Sequence, residues 1–514
     1  MVESSENSSS GALAMPRLRQ ALAGGWMRER FIIAGMVAAL TWYYVVPPPL
    51  LALPGLLLFA ALTWRRLDLA LCLLPLTFPF WYVPKTVVGY TVFPLSEIAL
   101  AVCLGVALAH EVARLRHGWR HARLGARLRV IGRWLGPWLL GGAALFALGV
   151  TIGLLIAVRP REALRAWRWE VAEPLLYLAL ALLYVRGARG VRRLVWALLA
   201  AGALLAALAL AQTLWLHATF TPLADGSRLV PYTTPGAGVP RATAFIYGSG
   251  NSLGAFLERA LPLALALPLA RSGFGRQARA LAAGVALLCA VALLLGDSRG
   301  AEIGAAVACA VVVVVSLRRW WVGVALVAAA LVVVLVARDE LAALLLAGHH
   351  GSGEVRVLVW LAAWHMIRDH ALFGIGPDQF LYYYSNLYTV HPYWIATLNG
   401  RPTVAAREPT LAHPHNLALD LWLSGGLLAL VGFVVVLAAF WARCWRLVGR
   451  TALTRGGHDA GWRGALALGI GASMLAGMLH GMVDSAYFVP DLALIFWWSV
   501  AVLVLLERTQ RRSP

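Results

Sequence analysis

The segment His413-Pro414-His415-Asn416 sets two imidazoles at i, i+2 directly before a long apolar run, and Asn416 is placed to cap the helix that this run predicts. A histidine at a helix N-terminus faces the positive end of the helix dipole, which disfavours the imidazolium and keeps the ring neutral, as a general base requires. Either His413 or His415 suits that role. The plain alternative is a polar pair that merely starts a helix. Two histidines at this spacing could also bind a metal, but no cysteine or well-spaced carboxylate completes a ligand set.

Arginine supplies the second chemistry. Arg299 lies in the tight turn Asp297-Ser298-Arg299-Gly300 between two apolar runs, and Arg356 opens an amphipathic segment. A guanidinium can bond two oxygens of one phosphate at once, so a pair of them on one side of a structure reads as a phosphate clamp. For Arg299 the competing account is a snorkelling side chain or an ion pair with Asp297. Arg159, Arg161, Arg165 and Arg168 crowd another turn and read as binders of anionic headgroups. Asn251 and Asp378 join His413, Asn416, Arg159 and Arg161 as candidate substrate-binding residues.

The elements that must position these groups are apolar helices. Of 514 residues, 61% are hydrophobic and 13% charged, and mean hydropathy is +0.74, more apolar surface than one soluble core could bury. Apolar runs long enough to approach the roughly 30 Å of a bilayer core fall at 31–46, 49–63, 68–84, 92–110, 137–158, 171–185, 194–217, 251–270, 280–296, 302–317, 321–337, 416–441, 464–482 and 491–506. The expected fold is therefore all-α, a polytopic transmembrane bundle of about 12–14 spans. Pro54, Pro75 and Pro79 mark the second and third runs as tilted, kinked or re-entrant.

With the N-terminus inside, alternation places these clusters inside: Arg65 and Arg66, Arg114 to Arg133, Arg186 to Arg193, Arg271 to Arg279, Arg318 and Arg319, Arg443 to Arg463, and Arg508 to Arg512. Membrane orientation thus accounts for the net charge of +20 better than nucleic acid does, and no nucleic-acid partner is expected. Lys85 is the only lysine; genome composition explains that bias as readily as a preference for phosphates does. The five cysteines lie in or at the ends of apolar runs, so neither disulfides nor a metal cluster is expected.

This reading divides the chain into a cytoplasmic N-terminus (1–30), an N-terminal bundle (31–217), an outer loop (218–250), transmembrane hairpins (251–337), a large outer loop (338–415), C-terminal spans (416–506) and a basic tail (507–514). Arg299, Arg356 and the histidines all fall outside, where the charge rule gives Arg299 no reason to be. A clamp there would face a lipid diphosphate. Within the large loop, Glu354 to Asp369 predicts an amphipathic helix with Trp360 and Trp364 at headgroup level, followed by the turn signal Gly374-Ile375-Gly376-Pro377. Gly248-Ser249-Gly250-Asn251 reads as a turn and cap, because no strand precedes it and no lysine follows. No Asp-x-Asp pair is present, which argues against a metal-dependent transferase using nucleotide sugars.

Four patterns together resemble the O-antigen ligase family of ligases and polymerases. They are Phe245 to Phe256, Ser298-Arg299-Gly300, the stretch from Arg356 through Trp360 and Asp369-His370 to Gly374-Ile375-Gly376-Pro377-Asp378-Gln379-Phe380, and His413-Pro414-His415-Asn416 followed by Gly425-Gly426. The likeness covers roughly 240 to 430; the N-terminal half agrees only in hydropathy.

The resemblance implies a GT-C-like helical fold, an inner-membrane location and an extracytoplasmic site with both termini cytoplasmic. It also implies inverting glycan transfer from an undecaprenyl-diphosphate donor to an acceptor hydroxyl without a metal or other cofactor. Arg299, Arg356 and His415 match the positions the family uses, with His413 as the alternative base. The acceptor, a lipid-linked core sugar, a second glycan or a protein, stays open, and so does ligase against polymerase. A lipid-linked glycan flippase is the competing class. It would place ionisable groups at mid-membrane, where Glu97 and Glu258 are the nearest cases.

Overall fold

The computed structural model describes residues 29–88, 91–116, 124–219, 241–270, 272–317, 321, 348–384, 397–398, 401–402, 411–453 and 458–510. Residues 1–28 of the expected N-terminal segment, the run 321–337 except Trp321, most of the loop 218–250, part of the large outer loop and the end of the tail fall outside them.

Helices dominate, and each expected span among the described residues is helical over most of its length, with 92–93 in a strand and 82–84 outside any helix. The chain opens with α1 (29–45), α2 (Pro49–Arg65) and α3 (Leu67–Leu73), which runs into a 3-10 turn (Leu74–Trp81). A small hairpin, β1 (Lys85–Val88) with β2 (Thr91–Phe93), precedes α4 (Leu95–Arg116) and α5 (Leu124–Ile156). A short α6 (Pro160–Trp167) and a π turn (Arg168–Ala172) lead to α7 (Glu173–Tyr184) and α8 (Gly187–Thr219). Then come α9 (Gly250–Ala266), α10 (Arg276–Gly296), α11 (Arg299–Leu317), α12 (Gly348–Asp369) and α13 (Phe380–Tyr384). Strands β3 (Thr397–Leu398) and β4 (Arg401–Pro402) pair before the final α14 (Leu417–Leu453), α15 (His458–His480) and α16 (Pro490–Gln510).

Among the described residues, eight helices, namely α4, α5, α8, α10, α11, α14, α15 and α16, are long and apolar enough to cross a membrane. The other described candidates are helices of 17 residues or fewer. Prolines within α2 and the 3-10 turn account for two of the shorter pieces, since each removes a backbone donor. The fold is an all-α, multi-pass membrane protein.

Its core is centred on α16, in which every residue from Pro490 to Leu506 is buried. Large apolar side chains such as Leu155, Leu287, Leu294 and Val434 are exposed on the outward faces of other spanning helices, as surfaces solvated by lipid tails require. Helices α5 and α14 approach to backbone contact. A Cβ on Gly142 would stand 2.9 Å from Gly432 O, and one on Gly149 would strike the Ala429 backbone.

The turns sort to two ends. At one, Arg66 and Arg193 both pair with Glu29, Arg127 pairs with Glu111, and Arg443 with Glu507. These belong to the clusters expected inside. At the other, Tyr82 packs on Tyr247, Trp81 on Trp169, and Tyr247 bonds Asp491, so turns distant in sequence converge.

Candidate functional site

At that second end the segment 411–416 is zipped onto the turn 481–489. Leu417 N–H donates to Gly481 O (2.7 Å), and Asn416 Nδ2 donates to Met482 O (3.0 Å). Asn416 Oδ1 also accepts from Ala418 N (3.0 Å) and Leu419 N (3.2 Å), which makes it the N-cap of α14 as its sequence position suggested. This clamp brings His415 to Asp484, with Nδ1 and Oδ1 2.8 Å apart. The other His415 ring nitrogen, Nε2, makes no hydrogen bond among the described residues. A carboxylate on Nδ1 fixes the N–H there and leaves the lone pair on Nε2, where an imidazole accepts a proton.

Asp484 is held by more than one donor. Asn251 Nδ2 donates to Oδ2 (3.1 Å), the Ser485 N–H donates to Oδ1 (2.8 Å), and His480 Nε2 stands 3.7 Å from Oδ2. Burial alone would push this carboxyl upward, but the His415 and His480 contacts hold it well below the usual carboxylate range. Asn251 is aimed in turn by Arg241, whose guanidinium donates to Asn251 Oδ1 (2.8 Å), Gly296 O (3.0 Å) and Asp297 O. The glycine-rich turn before Asn251 is a helix cap as expected, with Ser249 Oγ accepting from Ser252 N.

His413 has a different partner. Its Nδ1 lies 3.1 Å from Asp420 Oδ2, one helical turn into α14. Burial disfavours its charged form, yet Asp420, with Glu170 and Asp378 nearby, pushes it up to about 9. The helix dipole was expected to keep this ring neutral; a carboxylate at contact distance outweighs it.

His413, His415, His480, Asp484 and Asn251 line one cavity of about 180 Å³ together with Tyr82, Ser249, Ser252 and Asp491. Arg299 and Arg356 do not line it but stand on elements that touch it. Arg299 opens α11 beside Gly300, where a Cβ would stand 2.5 Å from the His480 ring. Arg356 is half-buried on α12, four residues before Trp360, whose indole donates to His415 O (3.3 Å). That spacing puts Arg356 on the same helix face as Trp360, about 6 Å along the axis. Helix α12 lies against protein, burying Val359, Ala362, Ala363, Met366 and Ile367 against Leu423 and its neighbours.

The remaining candidates form a separate dock. Asp378 pairs with Arg165 (3.2 Å), and Gln379 exchanges hydrogen bonds with the Arg159 backbone. Arg161 is exposed. Gly376, at φ +102, takes a backbone shape that suits glycine and lets the turn sit against Gly153. Glu97 is not at mid-span: it lies in the first turn of α4 and pairs with Arg168 (3.2 Å). The five described non-glycine residues with left-handed backbone, Ala244, Phe245, Asp297, Asp378 and His415, all belong to these converging turns. Strain of this kind persists where surrounding structure over-determines it.

Residues 284–434 match the family model described as O-antigen ligase. Over those residues the chain is similar to the O-antigen ligase family. A comparison with curated proteins finds no match. The matched region includes Arg299, Arg356, Asp378, His413, His415 and Asn416, whereas Asn251, Glu258, His480 and Asp484 lie outside it. Sequence reasoning missed Asp484, His480 and Arg241. The signal was available for the first two: His480 and Asp484, at i, i+4, close one apolar run and open the short turn before the next.

Proposed function

We propose that this O-antigen ligase-type membrane protein transfers a glycan from an undecaprenyl-diphosphate donor to an acceptor hydroxyl at the outer face of the inner membrane. The observation that carries the reading is the His415–Asp484 pair on a cavity at the end of the bundle where Arg299 and Arg356 also stand.

In this reading His415 Nε2 takes the proton of the acceptor hydroxyl as its oxygen attacks the anomeric carbon, and the bond from that carbon to the diphosphate oxygen breaks. Backside attack inverts the anomeric centre. Negative charge grows on the departing lipid diphosphate, so the leaving group needs cations, and Arg299 and Arg356 supply them from a site partly shielded from water. Proton acceptance by a placed base contributes about 10²- to 10⁴-fold. Asp420 favours His413 as a cation, which suits it to binding an anionic substrate and leaves the base role to His415. Asn251 and Asn416 act by holding Asp484 and the 413–416 segment in place.

The buried Glu258 and Arg259 do not favour a transport path. Glu258 pairs with His480, and Arg259 donates to Ala486 O (3.0 Å), so both point their chemistry at the turn that bears Asp484.

Purified protein given a radiolabelled undecaprenyl-diphosphate glycan and a panel of acceptors should release the free lipid diphosphate and lengthen one acceptor class, with full activity in chelator. Acceptor-independent movement of intact donor across vesicles, without cleavage, would refute transfer. Loss of activity in chelator restored by Mg²⁺ or Mn²⁺ would refute the metal-free step.

A further inference from the structure

His480 is buried between two carboxylates. Its Nδ1 is 3.2 Å from Glu258 Oε2 and its Nε2 is 3.7 Å from Asp484 Oδ2, the second an ion-pair rather than a hydrogen-bond distance. Two carboxylates within 4 Å of one buried ring favour its imidazolium form by charge. Glu258 is itself fully buried, and Arg259, the next residue, lies 3.6 Å from it through Nε. Arg259 fits because residue 477 is glycine, where a Cβ would overlap the guanidinium. The other charges on elements packed nearby are Arg299 and Glu302 at the start of α11, Asp491 at the start of α16, which lines the same cavity as His480, and Arg241, which reaches Asp484 through Asn251.

We propose that His480 is a positioning residue which, fixed as an imidazolium between Glu258 and Asp484, sets the pH range in which the His415–Asp484 pair works. The proposal rests on the reading of His415 as the base. A lone buried carboxylate against His415 would orient the ring but would also hold a proton on it, and a protonated ring cannot accept another. A fixed cation behind Asp484 takes up part of that negative charge, so the carboxylate aligns the ring without fixing it in its acid form. Glu258 is the counter-charge that keeps His480 cationic in the protein interior. The order Glu258, His480, Asp484, His415 alternates acid and base from α9 to the cavity.

The test is the pH–rate profile of glycan transfer by the purified full chain. Replacing His480 by Gln or Glu258 by Gln removes the fixed cation or its counter-charge, so the acid limb should move upward by about one pH unit. On that limb the variants would be about tenfold slower than wild type, while the rate at the alkaline plateau changes much less. If neither variant accumulates, Glu258→Asp, which withdraws the carboxylate by one methylene, should give a smaller shift of the same sign. A profile lowered equally at all pH values, with its acid limb unmoved, would overturn the proposal and leave His480 a packing residue. Failure of the base reading looks different: His415→Gln would then keep both its activity and its acid limb.

Discussion

Asp484 Oδ1 stands 2.8 Å from His415 Nδ1 across 69 positions of sequence, whereas the neighbouring His413 is paired with Asp420, seven residues on in the first turn of the helix that follows. The two imidazoles are alike in sequence and unlike in setting. His413 is bound to the helix that follows it, so its partner travels with it. His415 depends on a turn between two other helices, and hydrogen bonds from Leu417 and Asn416 to Gly481 and Met482 hold that turn in register. The second arrangement couples the segment 411–416 directly to the turn between the last two helices, whereas the first reaches that turn only through Ser485 Oγ, which donates to Asp420 Oδ2 (3.4 Å).

Asp484→Asn should leave the ring in place while removing the charge that fixes its tautomer. Transfer should fall by on the order of 10²- to 10⁴-fold, with donor binding largely retained. Single-turnover rates at saturating donor check this, and a rate within a few-fold of wild type would show that Asp484 does not orient the base.

The His413–Asp420 pair should make stability depend on pH. His413 holds its proton more tightly in the folded chain than the ordinary 6.5 of a free imidazole, up to about 9. Its contribution is therefore complete below about pH 6.5 and is lost as pH rises through about 9. Thermal unfolding in detergent at pH 6 and pH 10 should show a drop in wild type that Asp420→Asn reduces, because that variant has no charge to lose its partner.

Much of this was legible in the sequence, and the reasons differ by residue. Apolar runs mark helices because length and composition suffice for them, and Asn416 was readable as a cap because capping is local. Members of the arginine clusters expected on one side share acidic partners, Arg66 and Arg193 on Glu29 and Arg443 on Glu507. Asp484 was not legible as the partner of His415, because nothing local encodes a contact across 69 residues. Arg241 belongs to none of the motifs, yet it ties Asn251 to the Gly296–Asp297 corner. Arg159 and Asp378 read as substrate contacts; that their segments also engage each other, Asp378 with Arg165 and Gln379 with the Arg159 backbone, was not legible, because nothing local encodes a contact across more than 200 residues.

Gly477→Ala should destabilise the fold without touching the cavity lining. The added methyl would overlap the buried Arg259 guanidinium, which cannot withdraw without leaving its charge unpaired, so a cost of about 1–3 kcal/mol is expected. Fluorescence-detected melting in detergent measures it, and an unchanged melting temperature would mean that α9 and α15 separate readily.

Arg299→Lys and Arg356→Lys keep the charge and lose the planar fork. Both should lose transfer nearly as fully as the Ala variants while inserting normally, because a point charge cannot engage two phosphate oxygens in fixed geometry. Initial rates on purified protein decide it. Near-wild-type activity in Arg299→Lys would count against the clamp.

The central claim is that His415 is the base that activates an acceptor hydroxyl against a lipid-diphosphate glycan. Rapid-mixing measurement of lipid-diphosphate release by purified His415→Gln, beside wild type and His413→Gln, tests it most directly. The account predicts loss of at least about 10²-fold in His415→Gln and substantial residual transfer in His413→Gln; full activity in His415→Gln with loss in His413→Gln would contradict it.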